Sequence, residues 1–399
     1  MKTIHARLLE KGVRIPDPAQ IFIAEDVNPD NIENDVILYP GCRIYGSKTL
    51  LLSGSRMGEE GPVVLENVCT GRHVYLKGGF FKDAVFLEGA KAGNGSHVRE
   101  GSILEESASI AHSVGLKQTI LFPWVTLGSL INFCDILMSG GTGPQNHSEV
   151  GSSYIHFNFT PDQDKATASM LGDVPSGVML DKSPIFLGGQ GGLVGPCRLA
   201  FGTVVAAGTL QRKDELRENR LIFGSSLRGG NVERSVGNYP GLRRILDHNF
   251  NYIANLHALE QWYTYFRGQH ISPSFPEKLH QALLQQVKSA ISERIKRLRQ
   301  LKEKLAAASL ASSFEKESLH SLWIKKCEDI CFLLSEDEIE SRNETALHLK
   351  KQFFDTIIFE KDYLSTLAAL NSDQRNAGRR WLYSITGKRA GEVWAVLEG

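Results

Sequence analysis

Three histidines, an asparagine and a lysine are the side chains here whose types and spacing could do chemistry. His147 follows a flexible Gly-rich run, Ser-Gly-Gly-Thr-Gly-Pro-Gln-Asn, at 139–146. His156 lies two residues before Asn158, so on one strand both point to the same face. His112 closes a regular stretch in Ala-His-Ser-Val-Gly. Histidine is the usual general base in proton transfer. The order of preference is His147, His156, His112. For each, the plain alternative is a surface or hydrogen-bonded histidine. Asn158 could donate to a ligand, or stack in an asparagine ladder. Lys165 could meet a phosphate as a point charge, or be a solvated loop lysine. The small residues at 188–192, Gly189 among them, and Ala206 and Ala207 let a ligand approach the main chain. They equally suit tight corners.

The elements that must hold these residues are announced by a period of six. Val68, Val74, Phe80, Phe86, Ala92, Val98, Leu104 and Ile110 are all apolar, and the phase extends back to Leu50, Ile44 and Leu38. Six is neither the helical 3.6 nor the strand period of 2. Gly, Asn, Ser, Glu and Lys fill the gaps. This is the pattern of a hexapeptide-repeat parallel β-helix, in which three hexads close one coil and coils stack to bury their apolar corners. The class is usually left-handed. The period breaks between Gly115 and Pro184 and resumes at Leu187, Leu193, Leu199 and Val205. A loop is expected at 53–61. Its Gly-Ser-Arg-Met sequence is a poor phosphate loop, because it sits between hexads rather than between a strand and a helix.

After about Gly237 the pattern becomes helical. Leu279, Leu283, Val287, Ile291, Ile295, Leu298, Leu301 and Leu305 recur every three or four residues and predict one long helix from Glu277 to Ser309. Further helices are expected at 241–267 (with Pro240 in the first turn), 313–334, 336–369 and 372–384. The expected layout is a lead-in segment at 1–30, a β solenoid (left-handed parallel β-helix) at 31–236, and an α-helical domain at 237–399. Lys+Arg and Asp+Glu are equal at 45 each, so no global field favours nucleic acid. The six cysteines have no disulfide-framework or zinc spacing. His73, His97 and His112 lack a close His-x₄-His pair, so no metal is expected. No apolar run approaches 18 residues, so no membrane span is expected and the protein is expected in the cytoplasm.

The run Phe-Leu-Gly-Gly-Gln-Gly-Gly-Leu-Val-Gly-Pro-Cys-Arg-Leu-Ala-Phe-Gly-Thr-Val-Val-Ala-Ala-Gly at 186–208 resembles the last coils of a known family. That family is the bifunctional GlcNAc-1-phosphate uridyltransferase/glucosamine-1-phosphate acetyltransferase, specifically its acetyltransferase half. Gly-Val-Arg-Ile-Pro-Asp-Pro at 12–18 is similar to its solenoid start. Asn158-Phe159, Lys165 and Leu171-Gly-Asp173 are similar to its Asn-Tyr…Lys…Ile-Gly-Asp segment. The resemblance covers roughly residues 10–212. It implies an acyl-CoA-dependent N-acetyltransferase acting on an amino sugar or sugar phosphate. It also implies acetyl-CoA as substrate and a homotrimer with sites between subunits. His147 or His156 would be catalytic, Asn158 and Lys165 would bind the sugar, and Gly189, Ala206 and Ala207 would line the pantetheine channel. The chain begins at the solenoid lead-in, so the nucleotidyltransferase domain is expected to be absent. Phe159 stands where the family has Tyr, and the offset of its catalytic histidine falls on Asp135. A non-catalytic hexapeptide scaffold, or a sugar-nucleotide-binding protein, is the alternative.

Overall fold

The hexads fold as their period demands. The computed structural model describes residues 4–158, 165–224, 239, 241–309, 318–335 and 343–399. A short helix, α1 (Ile4–Lys11), precedes a triangular β-solenoid whose stacked strands all pair in parallel. Its first face starts at Phe22–Ile23, which pairs with Arg43–Tyr45, so the solenoid begins before residue 31. The second face starts at Leu50–Leu51, and the third carries ten strands from Ile37–Leu38 to Leu221–Ile222. Two longer strands, Gly115–Leu121 and Asn132–Met138, run around the corner and merge the first two faces into one sheet.

Inward positions form the core. Val74, Leu76, Phe86, Val98 and Leu104 have no exposed surface. The six-residue phase is offset before Phe86: Thr70 and Leu76, not Val68 and Val74, stand in register with Phe86 and Ala92. Phe81, not Phe80, pairs in register with Leu65 and Val98 and points inward, while Phe80 sits outside against His97. The coil there is short, and Gly79 takes φ +133° where an added Cβ would lie 2.1 Å from the Ser96 carbonyl oxygen. The expected loop at 53–61 instead carries the strand Arg56–Met57, with Met57 fully buried.

A single helical turn, α2 (Val174–Gly177), leaves the solenoid where the period is broken. The helices that follow are α3 (Leu242–Gln261), α4 (Glu277–Ser309), α5 (Leu319–Ser335), α6 (Glu344–Phe354), α7 (Tyr363–Ala369) and α8 (Ser372–Glu398). Pro240 and the start of the expected 313–334 helix lie outside the described residues. The α3 helix continues through a π turn at Trp262–Phe266 and a 3₁₀ turn at Arg267–His270. Residues 336–342 of the expected 336–369 helix lie outside the described residues, and the rest is two helices. Its break follows Asp355, where β-branched Thr356, Ile357 and Ile358 disfavour helix and Asp362 caps a new start by accepting from the Ser365 N–H at 2.9 Å. The last helix runs well beyond 384, because Ile385, Val393 and Leu397 bury its far half.

These helices lie along the second face. Along the first half of α4, Lys278 donates to Asn31 Oδ1 (2.7 Å), Gln286 Oε1 accepts from the Gly101 N–H (3.1 Å), and Arg294 pairs with Asp135. At the other edge, buried Arg267 bridges Glu105 (2.7 Å) and Glu106, and the Tyr263 hydroxyl donates to Glu105. Burial pushes the Glu105 carboxyl up, against the pull of Arg267. Breaking a buried pair by removing one partner costs about 3–5 kcal/mol. Arg267→Met should therefore lower the urea-unfolding free energy by that amount. A loss below about 1 kcal/mol would show that this clamp does not hold the helices to the solenoid.

Candidate functional site

Most corners of the coils are turned by a residue of positive φ. At the corner from the third face to the first, these residues are Gly95, Ser113, Leu130, Ser153, Gln190 and Gly208, with φ between 53° and 73°. Each of the last five donates its N–H to a carbonyl one coil below. Ser113 donates to Asn94, Leu130 to His112, Ser153 to Ser129, Gln190 to Ser152 and Gly208 to Gly189, at 2.8–3.1 Å. The preceding residues therefore stand in one open column: Asn94, His112, Ser129, Ser152, Gly189 and Ala207. All are exposed or half-buried. Small residues are required at its upper end. A Cβ on Gly188 would come within 2.3 Å of the Ala207 nitrogen, and one on Gly189 within 2.7 Å of the Ser152 carbonyl oxygen.

The residues expected to act together are divided among the three corners. Gly189, Ala206 and Ala207 lie at this third-to-first corner. His147 lies at the second-to-third corner, on a hairpin formed by Gly141–Gly143 and Asn146–His147, and its Nδ1 bonds the Pro144 carbonyl at 2.8 Å. The segment expected to be a flexible loop is thus an ordered hairpin. Asn158 and Lys165 lie at the first-to-second corner, both exposed, with Asn158 Oδ1 accepting from the Thr167 hydroxyl at 2.7 Å. An exposed Asn158 is not part of an interior ladder. Phe159 and the polar loop after it lie outside the described residues.

His156 is the clearest correction. On the strand Ile155–Phe157 its side chain turns inward and is 4% exposed, so it does not share the outward face of exposed Asn158. The Cys197 N–H donates to Ser169 Oγ (3.0 Å), which leaves the Ser169 hydroxyl to donate to His156 Nε2 (2.8 Å). His156 Nδ1–H then donates to the Cys134 carbonyl (2.5 Å). Both ring nitrogens are used inside the protein, and burial pushes the imidazole down to about 4. This ring braces the core and cannot reach a substrate. Beside it, Asp135 occupies the position to which the resemblance assigned a base. It is a positive-φ corner residue, 7% exposed and paired with Arg294 of α4. Buried Tyr252 of α3 lies next to that pair. The corner is closed by the chain's own helices.

The open column has a cleft beside it. On the outer surface of the first face, His97, Gly115, Asn132 and Ile155 stack in register. Gly115 has no side chain, so a depression of about 490 Å³ opens there, lined also by Arg99, Leu130 and Cys134. At its edge His112 Nδ1 bonds Ser129 Oγ at 2.8 Å. Ser129, Asn132 and Gly115 do not stand out in the sequence, because the coils that align them differ in length. Only the inter-coil register brings them together. Among the described residues no cluster of three His, Cys, Asp or Glu side chains could hold a metal, and no helix is long and apolar enough to cross a membrane.

No family model matches the chain. It is similar to the "Bifunctional protein GlmU" of Trichlorobacter lovleyi, 26% identical over 212 residues, which is 53% of this chain and 41% of that protein. To the Thermotoga maritima protein of the same name it is 27% identical over 211 residues, 52% of this chain and 41% of that one. The chain thus spans well under half the length of these curated relatives. The similarity agrees with the resemblance carried by the motif residues. The crystal structure of Arabidopsis UDP-N-acetylglucosamine acyltransferase covers 76% of this chain and 97% of its own, at 13% identity and a TM-score of 0.20. That is too distant to carry an argument.

A buried histidine held near 4 sits below its unfolded value of about 6.5. The neutral ring favours the fold. Its contribution is fully present above pH 6.5 and is lost as pH falls towards 4. Histidine NMR should show His156 ring signals unchanged from pH 7.5 to 5.5, whereas a midpoint near 6.5 would mean that the ring reaches solvent.

Proposed function

We propose that this chain is an acyl-CoA-dependent N-acetyltransferase acting on an amino sugar or sugar phosphate. The acyl carrier would lie along the third-to-first corner. The observation that carries this reading is the open column of small residues above Ser129, on a solenoid similar to that of the curated relatives. Pantetheine has the reach of about four extended residues, roughly 14 Å. The three coil steps from Ala207 down to Ser129 span about 14 Å at strand spacing. Glycine and alanine backbone at Gly189, Ala206 and Ala207 would let the arm's amides meet main-chain groups.

The working assembly in this reading is a cytoplasmic homotrimer. Its own helices cover the second face, so a neighbouring copy would meet the first or third. The third face ends in a column of half-exposed to exposed apolar side chains, Phe186, Val204 and Leu221, consistent with such a contact. His147 and Lys165, on other corners, would enter a site at this column only from a neighbouring chain. The sealed Asp135–Arg294 corner favours a second reading, a non-catalytic hexapeptide scaffold, since it removes the position to which the resemblance assigned the base.

Calorimetric titration separates the two. Acetyl-CoA should bind the wild-type protein at sub-millimolar concentration, and Ala207→Tyr, which fills the column, should weaken it at least about tenfold, or roughly 1.4 kcal/mol. Absence of binding to the wild type at millimolar acetyl-CoA would contradict the acyltransferase reading and leave the scaffold.

A further inference from the structure

We propose that His112, oriented by Ser129, is the general base of the transfer, and that the depression over Gly115 seats an acceptor whose anionic group meets Arg99. This rests on the acyltransferase reading above and adds the base and the acceptor's chemistry to it.

Four observations converge. First, among the three candidate histidines only His112 stands in the column that carries Gly189 and Ala207. His147 is on a hairpin at another corner and His156 is buried. Second, Ser129 holds the His112 ring by Nδ1 and leaves Nε2 with no partner among the described residues. Ser129 is also where an arm descending three coils from Ala207 would end. Third, the residues after His112 and Ser129 are Ser113 and Leu130, and both line the depression. The histidine and the cleft therefore share an edge. Fourth, the cleft combines an exposed Arg99, whose side chain has no ion-pair partner among the described residues, with Asn132 and the exposed apolar side chains Leu130 and Ile155. A guanidinium suits a phosphate or carboxylate. An amide offers both a donor and an acceptor to hydroxyls. The apolar pair covers a ring or chain face. The lining thus suits a small acceptor bearing hydroxyls and one anionic group, and the acyltransferase reading above supplies its amine.

The step balances without any further reactant. The amine nitrogen attacks the thioester carbonyl carbon, forming the C–N bond. Its proton passes to His112 Nε2 while Nδ1–H donates to Ser129 Oγ. Collapse of the tetrahedral intermediate breaks the C–S bond, and the departing thiolate takes the proton back from His112. The products are the amide and free coenzyme A. Ser129 is a positioning residue, since it acts through the ring.

The test uses the full chain, acetyl-CoA, and glucosamine 1-phosphate and glucosamine 6-phosphate as probe amines. His112→Gln should lower kcat at least about 100-fold, the lower range for loss of a general base, with acetyl-CoA affinity within twofold of wild type. Arg99→Ala should raise KM for the phosphorylated amines about tenfold and spare kcat. Ser129→Ala should shift the pH profile of kcat. A second readout needs no acceptor: acetyl-CoA titrated into ¹⁵N-histidine-labelled protein should move the His112 imidazole signals. If the wild type binds acetyl-CoA but His112→Gln retains more than half of kcat, or His112 signals do not move, the assignment is overturned and the acyltransferase reading stands. If the wild type binds no acetyl-CoA, both fall.

Discussion

The structure depends on the vertical register between coils. Parallel strands about 4.8 Å apart place equivalent residues directly above one another, and most corners are turned by a residue at positive φ. The first-to-second corner stacks Gly46, Asn67, Asp83, Gly101, Gln118 and Asp135 in this way. Because the register is rigid, any chemistry on this fold is arranged in columns. A histidine gains its neighbours from the coils above and below rather than from its own segment. His112 meets Ser129, and His156 Nδ1 meets the Cys134 carbonyl, by this rule alone.

The helical module then decides which columns remain usable. The α4 helix rises about 1.5 Å per residue along the solenoid, contacting it at Asn31, Gly101 and Asp135 in turn. With α3 it buries the second face and the corner at Asp135. Such burial is expensive for charges, and it is tolerated because Asp135 with Arg294, and Glu105 and Glu106 with Arg267, are paired where they enter the interface. The first face and the third-to-first corner stay open. The inward His156 and the outward Gly115 depression are thus two outcomes of the same strand alternation, in which successive residues face solvent and core in turn.

Much of the fold was legible in sequence, because an apolar period of six matches neither a helix nor a simple alternating strand, and the spacing of Leu279 to Leu305 spans α4 to its ends. The slip at Phe80 was hidden, since Phe80 and Phe81 are both apolar and only the short coil distinguishes them. The break after Asp355 was hidden by apolar residues that suit a helix in pattern but not in β-branching. The site was less legible. His156 and Asn158, two residues apart, pointed to a shared face, but Asn158 lies at the strand's end where the alternation stops. His147 drew attention through its glycine-rich approach, which turned out to build a hairpin. His112 ranked last because its partner Ser129 is paired by register rather than by any local motif. The Ala206-Ala207 run and Gly189 do share one corner, as their small size allowed.

The central claim is that acyl chemistry belongs to the third-to-first corner. A crystal structure of the protein grown with acetyl-CoA tests it most directly. The account predicts pantetheine density descending along Ala207, Gly189 and Ser152, with the thioester beside Ser129 and His112. Density instead at the His147 hairpin or at Asn158 and Lys165, with the column empty, would contradict it.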